Sequence, residues 1–359
     1  MGDAPAMPYR PAPPPGGAPA RPATDPAGGA GPPRGEGRSD WRHYAALDLG
    51  TNNCRLLIAR PQGQGFAVVD AFSRIVRLGE GLAATGRLSD DAIERTVAAL
   101  RVCADKLRRR HVLLARSVAT EACRRALNGP DFIARAYAET GIHLDVISAE
   151  EEARLAVLGC HALLEPGDGP ALVFDIGGGS TELVLIDTRG DTPAVLDWHS
   201  APWGVVSLTE VAGGSKADAD PAALAAAYAR MRDLVRDSFA PFAERLPRAP
   251  VGPRLLGTSG TVTTLGSVHL GLDRYERAAV DGLVVPADAM RGISARLAGM
   301  SVAERARLPC IGTERADLVV AGCAILEAIM DLWPAERLGI ADRGIREGIL
   351  RRLMGSPRP

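Results

Sequence analysis

Apolar residues along this chain fall into two kinds of pattern: short unbroken runs bounded by glycine, and longer stretches in which they recur every three or four positions. Four of the unbroken runs come as two pairs. Tyr44–Ala59 ("YAALDLGTNNCRLLIA") and Leu172–Ile186 ("LVFDIGGGSTELVLI") each place a polar, glycine-containing turn between two apolar runs. Runs of that length next to turn residues predict strands buried on both faces, so both segments read as strand–turn–strand hairpins. Laid over one another without a gap, Asp48 falls on Asp175, Gly50 on Gly177, Arg55 on Glu182, and Leu56–Ile58 on Leu183–Leu185. Such self-similarity is the mark of a duplicated supersecondary unit.

The stretches of helical period follow each hairpin. After the first come the strand "FAVVDAF", a helix from Ser89 to Arg109 with Ser89 as its cap, and the strand "VLLARSV". A short helix begins at Thr120, placed as its N-cap; "DFIARAYAET" is helical and "IHLDVI" extended. "SAEEEARLAVLGCHALL" opens with a capping box, Ser148 to Glu151, which predicts a helix N-terminus. After the second hairpin come a strand near "VLDWHSA", an alanine-rich helix over 221–245, and the strand-to-helix turn "RLLGTSGTVTTLGSVHLG". Helices near 286–299 and over 313–332, the strand "RLGIAD" and a helix from Arg343 complete the chain. Strands alternating with helices predict an α/β class, and the hairpins among them predict mixed sheets.

Composition narrows the partners. The 42 basic and 43 acidic residues leave a formal charge of -1, which gives no electrostatic reason to expect nucleic acid or an anionic membrane. Residues 1–42 are rich in Pro and Gly and predict a disordered tail; no apolar run has the length of a secretory signal core or a membrane span. The six cysteines form no CxxC pair, as expected for reduced thiols in the cytoplasm. No two of the six histidines share a metal-ligand spacing.

Three glycine turns carry the candidate chemistry: Asp48–Asn52, Asp175–Ser180 and Gly257–Gly260. A hairpin needs one or two glycines for positive φ, so a third in "DIGGGSTE" predicts close approach of backbone to a bound group, and phosphate fits the turn N–H groups. Asp48 and Asp175 each end a buried strand, which predicts two carboxylates facing across a cleft and suited to Mg²⁺; turn capping is the structural alternative. Glu182 sits on an otherwise apolar strand, with Arg55 either as its ion-pair partner or as a fork for phosphate. Of Arg124 and Arg125 only one can face inward, and Arg124 is the expected one. The helix macrodipole explains Glu150 and Glu151 without function, and Arg315 opens a helix from which it can reach the cleft.

With "DLGTN", "DIGGGSTE" and "GTSGT" as three phosphate loops, the chain resembles the sugar kinase, heat-shock-protein and actin superfamily. It is more closely similar to the exopolyphosphatase and guanosine pentaphosphate phosphohydrolase family, through "ALDLGTNNCRLLI", "VATEACRRALN", "VISAEEEARL", "LVFDIGGGSTELVL", "GTSGT" and "GIADRGIREGIL" in that order. The resemblance implies two duplicated actin-like (ribonuclease H-like) domains around a cleft, 43–156 and 157–355, with the last helix returning to the first. It implies hydrolysis of the terminal phosphoanhydride bond of polyphosphate, or of the 5′-γ-phosphate of guanosine pentaphosphate, with Mg²⁺. Glu152 would be the base for the attacking water, Glu182 its partner, and Arg124 a phosphate ligand. Phosphate would meet Gly50, Thr51, Asn52 and Arg55 of the first loop, Gly177, Gly178, Gly179 and Ser180 of the second, and Gly257, Ser259 and Gly260 of the third. Asn53 and Cys54 depart from the serine and phenylalanine common in the first loop, and the chain stops soon after "GIREGIL", like the short two-domain members. A homodimer is one expected assembly. The rival expectations are an ATP-dependent kinase of the wider superfamily and a non-catalytic phosphate-nucleotide sensor.

Overall fold

The computed structural model describes residues 42–167, 169–190, 193–212, 220–246 and 253–355, so most of the predicted tail lies outside the described residues. The first half supplies five strands: β1 (His43–Leu49), β2 (Asn53–Gln62), β3 (Gly65–Ile75), β4 (Val112–Ala119) and β5 (Leu144–Val146). The second supplies six: β6 (Ala171–Ile176), β7 (Thr181–Asp187), β8 (Ala194–Ala201), β9 (Arg254–Thr258), β10 (Val284–Pro286) and β11 (Arg337–Ala341). The first sheet runs β3-β2-β1-β4-β5, the second β10-β11-β9-β6-β7-β8. In each, a meander of three antiparallel strands continues into parallel neighbours, so β1, β2, β3, β4 correspond to β6, β7, β8, β9.

The duplication extends to single residue pairs. Asp48 pairs with Arg55 across the first hairpin and Asp175 with Glu182 across the second. Gly50 N–H donates to Asn53 O at 2.9 Å, and Gly177 N–H to Ser180 O at 3.0 Å, closing the two turns in the same way. The continuous apolar strands are buried as their pattern predicts: Ala45, Leu47, Leu56 and Ile58 in one core, Leu172, Phe174, Leu183 and Leu185 in the other.

Two helices join the halves. Ala149–Cys160 turns Leu155 and Ala156 toward the first sheet and Ala153, Val157 and Cys160 toward the second, so it runs unbroken through position 156. Ile345–Gly355 packs Ile345, Ile349 and Leu350 on Ala46, Leu57 and Val118 of the first sheet. Its approach to Ala149–Cys160 is close: a Cβ on Gly348 would lie 2.1 Å from Leu155 O, and one on Gly159 2.0 Å from Gly344 O. Only glycine permits backbones at that separation.

Several local expectations change. The apolar stretch 313–332 is two helices, Gly312–Arg315 and Val319–Leu332, broken between them. Ser148 Oγ accepts from Glu151 N–H, but the Glu151 carboxylate pairs with Arg116 at 2.7 Å instead of closing the capping box. Thr120 occupies the N-cap position of Glu121–Arg125 without a side-chain cap bond. The helix Val205–Ala212, absent from the expectations above, sits directly behind the second turn.

Candidate active site

The two hairpin turns meet. A Cβ on Gly178 would lie 3.0 Å from Asn52 N and from Thr51 Cβ, and one on Gly179 2.6 Å from Thr51 Oγ1. From behind, Gly204 presses so close that its Cβ would stand 2.3 Å from the Gly178 carbonyl carbon, and Val205 and Val206 N–H donate to Gly177 O and Gly178 O at 2.9 and 2.8 Å. None of Gly50, Gly177, Gly178 or Gly179 takes a left-handed φ, so the positive-φ explanation for these glycines is corrected. Their task is spatial: three pieces of backbone crowd one point, and a side chain at 178 or 179 would separate the lobes.

Around that point lies a cleft of about 460 Å³, lined by Asp48, Gly50, Thr51, Asn52, Asn53 and Arg55 of the first hairpin and by Asp175, Gly177, Gly178, Gly179 and Ser180 of the second. Thr120, Glu121, Glu152, Ser259 and Ile345 complete its wall. A second compartment of about 510 Å³ continues from it past Arg55 and Ser259 to Gly260, Thr264 and Arg315. The structure thus brings together nearly every predicted site residue, Arg124 and Glu182 from behind the wall through their bonds to the lining residues Glu152 and Ser180. Gly257 is the exception: it lies within β9, and a Cβ there would strike the Phe174 ring and Val262 at 2.7 Å, so it is a packing glycine and not a phosphate contact.

Glu152 enters the cleft because the first turn of its helix sends three consecutive carboxylates in three directions. Glu150 pairs with Arg154 and Glu151 with Arg116, while Glu152 turns inward, 7% exposed, and accepts from Arg124 Nη1 at 2.8 Å. Arg124 is also held by Glu121 at 2.8 Å and by Ile147 O, whereas Arg125 points outward with a side chain 43% exposed. Glu182, 2% exposed, accepts from Ser180 Oγ at 2.8 Å and from Ser200 Oγ at 2.9 Å. Those hydroxyls take the place of the Arg55–Glu182 pair that the sequence left open; the Arg55 guanidinium reaches toward Gly260 of the third turn. Arg315 does reach the compartment, donating to Thr264 Oγ1 at 2.8 Å.

The buried carboxylates of the site are shifted chiefly by burial and in part by one another. Burial raises Glu152 well above its usual range, the Glu182 charge adds to the rise, and Arg124 opposes it. Burial and then Asp175 push Glu182 up to about 7 against the two serine bonds. Burial and Asp48 push Asp175 up to about 6, opposed by Arg55 and Ser259. Asp48 is raised by burial too, with Arg55 and Arg346 pulling it down. A cluster that resists full ionisation is one in which a bound cation gains affinity by supplying the missing charge.

The first turn holds further signs of a missing guest. Asp48 Oδ1, Thr51 Oγ1 and Asn52 Oδ1 are buried and bond to nothing, three orphans within five residues among the described residues. Buried polar atoms are almost always paired, so such a concentration marks a place meant for a ligand. Within the chain, no backbone bond takes the N–H groups of Thr51, Asn52, Gly178 or Gly179 among the described residues. In the third turn Ser259 stands at φ 80°, ψ -173°, a region almost reserved for glycine, and its hydroxyl is turned to Asp175. Sequence reasoning missed Ser200, Glu121 and this strained role of Ser259. Of these, only Ser200 left a signal, its position opposite Glu182 once β7 and β8 are paired.

The model of the Ppx/GppA phosphatase family matches residues 57–356. The chain is 35% identical over 325 residues to exopolyphosphatase 2 of Mycobacterium tuberculosis, covering 87% of this chain and 98% of that one. The crystal structure of the Aquifex aeolicus Ppx/GppA family member superposes with a TM-score of 0.71 at 28% identity, covering 88% of this chain and 99% of that one. For the fold alone, an exopolyphosphatase from Cytophaga hutchinsonii superposes at a TM-score of 0.77 and 21% identity, over 88% and 99% of the two chains. Both halves of the chain therefore have the actin-like architecture, and the chain belongs to the Ppx/GppA phosphatase family.

Proposed function

We propose that this enzyme hydrolyses the terminal phosphoanhydride bond of inorganic polyphosphate, with guanosine pentaphosphate as a second substrate, by attack of water at the meeting point of the two hairpin turns. The observation that carries the reading is the pair of interlocked turns with unpaired donors and orphaned polar atoms, faced by two buried carboxylates. Phosphoryl transfer to water needs positioning and charge neutralisation more than covalent help. Turn N–H groups cradle the terminal phosphate, Arg124 neutralises one of its oxygens, and Glu152 accepts the proton of the attacking water. Burial, and then the charge of Glu182 held by Ser180 and Ser200, raise the Glu152 pKa, which makes it the stronger proton acceptor.

The carboxylates of Asp48 and Asp175 would hold Mg²⁺. The fit rests on Asp48 Oδ1, buried without a partner, on the raised pKa of both acids, and on an all-oxygen donor set. When bound, the ion would neutralise charge on the phosphates. Among the described residues no group of three or more His, Cys, Asp or Glu side chains gathers as a protein cage, so a Mg²⁺ held by these two acids would keep most of its waters.

Six free cysteines, five of them buried, suit a reducing cytoplasm. Assembly as a homodimer completes the proposal. Orthophosphate release from long polyphosphate, short polyphosphate and guanosine pentaphosphate, compared by kcat/KM without any acceptor, is the test. Release from none of the three, or transfer only to an added hydroxyl acceptor, would overturn it.

A further inference from the structure

Arg77 lies outside the cleft but is tied to both sides of it. Val76 and Arg77 N–H both donate to Asn52 O, at 2.9 and 3.1 Å, and Gly79 N–H donates to Thr51 O at 2.9 Å, so residues 76–79 back the first phosphate turn. From that anchor the guanidinium crosses to the other half. Its Nη1 meets Asp317 Oδ2 at 2.9 Å, and its Nη2 meets Asp317 Oδ1 at 3.3 Å and Glu314 O at 3.2 Å. Glu314 and Arg315 end the helix Gly312–Arg315, and Asp317 lies in the break before Val319–Leu332. Arg315 in turn reaches Thr264 in the second compartment.

The backbone of Arg77 takes φ 48°, a left-handed conformation that a residue with a side chain occupies at a cost. With side-chain exposures of 31% and 26%, the ion pair with Asp317 adds little stability. A planar fork that spans a carboxylate and a neighbouring carbonyl is valuable for the geometry it fixes. Here it fixes the segment that carries Arg315 relative to the turn that carries Thr51 and Asn52.

We propose that Arg77 is a positioning residue that couples the first phosphate turn to Arg315 across the boundary between the halves. It sets the distance between the terminal-phosphate cradle and the cation of the second compartment. The inference rests on the phosphoanhydride reading of the cleft, within which it assigns a task to a residue that touches no substrate.

A double-mutant cycle decides it: wild type, Arg77→Ala, Arg315→Ala and the double variant, each assayed for kcat and KM on inorganic polyphosphate. Arg77→Ala should lower kcat/KM by about 10-fold, mainly through KM, and should add less than about 3-fold once Arg315 is gone. Arg77→Lys, which keeps charge and loses the fork, should behave like Arg77→Ala. Multiplicative losses in the double variant, or full activity of either Arg77 variant, would overturn the coupling. If Arg77→Ala fails to fold, the cycle is run with Arg77→Lys. If wild type releases no phosphate, the activity reading fails by itself, and the same cycle read as calorimetric affinity for tripolyphosphate still decides the coupling.

Discussion

Glu152→Gln isolates the proposed proton transfer from everything else in the cleft. The replacement keeps the side-chain volume and leaves Oε1 free to accept from Arg124 Nη1, which now donates to the carboxylate at 2.8 Å. Arg124 is not orphaned, because Glu121 still holds it at 2.8 Å. What disappears is a buried charge repelled by Glu182, so the fold should be at least as stable as wild type. What disappears from catalysis is a positioned base, which typically contributes about 10²–10⁴ in rate, or about 2.7–5.4 kcal/mol of barrier. Steady-state orthophosphate release from polyphosphate with Mg²⁺ should therefore fall by that factor in kcat, while calorimetric affinity for tripolyphosphate changes by less than about 3-fold. A kcat within about 3-fold of wild type would refute the base assignment, and a parallel loss of affinity would make Glu152 a binding residue instead.

The other predictions concern the rest of the cluster. In Glu182→Gln the like charge beside Glu152 is gone, so the acid limb of the kcat/KM profile should move to lower pH; a limb that stays or moves upward contradicts the coupling. Glu182 itself is raised from 4.5 to about 7, so between those values the folded state binds more protons than the unfolded one and stability should fall as pH rises through the window, as thermal melts without metal would reveal. Asp48→Asn removes the orphaned carboxylate, and should leave melting temperature undiminished while abolishing the stimulation of turnover by Mg²⁺. Gly204→Ala forces backbone atoms of 178–179 apart and should destabilise by about 1–3 kcal/mol, whereas Gly292→Ala, in a helix with open space around it, should stabilise by about 0.5–1 kcal/mol in the same denaturation assay.

The parts of the fold that the sequence made legible are those set by local pattern. Both hairpins, the register that places Arg55 and Glu182 at equivalent positions, and the helix Pro221–Arg245 follow from apolar runs and capping residues alone. Glu152, Glu182 and Arg124 were legible through motif resemblance; Glu152 lines one cleft with the two aspartates, and Arg124 and Glu182 stand just behind that wall, bonded to Glu152 and to Ser180. What could not be read depends on contacts between distant segments. The glycines of "DIGGGSTE" look like turn residues until Thr51 and Gly204 are seen to press on them, and Gly257 looks like a phosphate glycine until Phe174 fills the space above it. Ser200 and Arg77 act through partners 18 and 240 positions away, distances at which periodicity carries no information.

The central claim is that the end of a phosphate chain sits where the two turns meet. A crystal structure of the Glu152→Gln variant with tripolyphosphate and Mg²⁺ tests it most directly. The account predicts a terminal phosphate bonded to turn N–H groups of both 50–53 and 177–180, touching Arg124, with the introduced carboxamide and Glu182 on the face from which water attacks. A terminal phosphate lodged elsewhere, with the 460 Å³ cleft filled only by solvent, would contradict it.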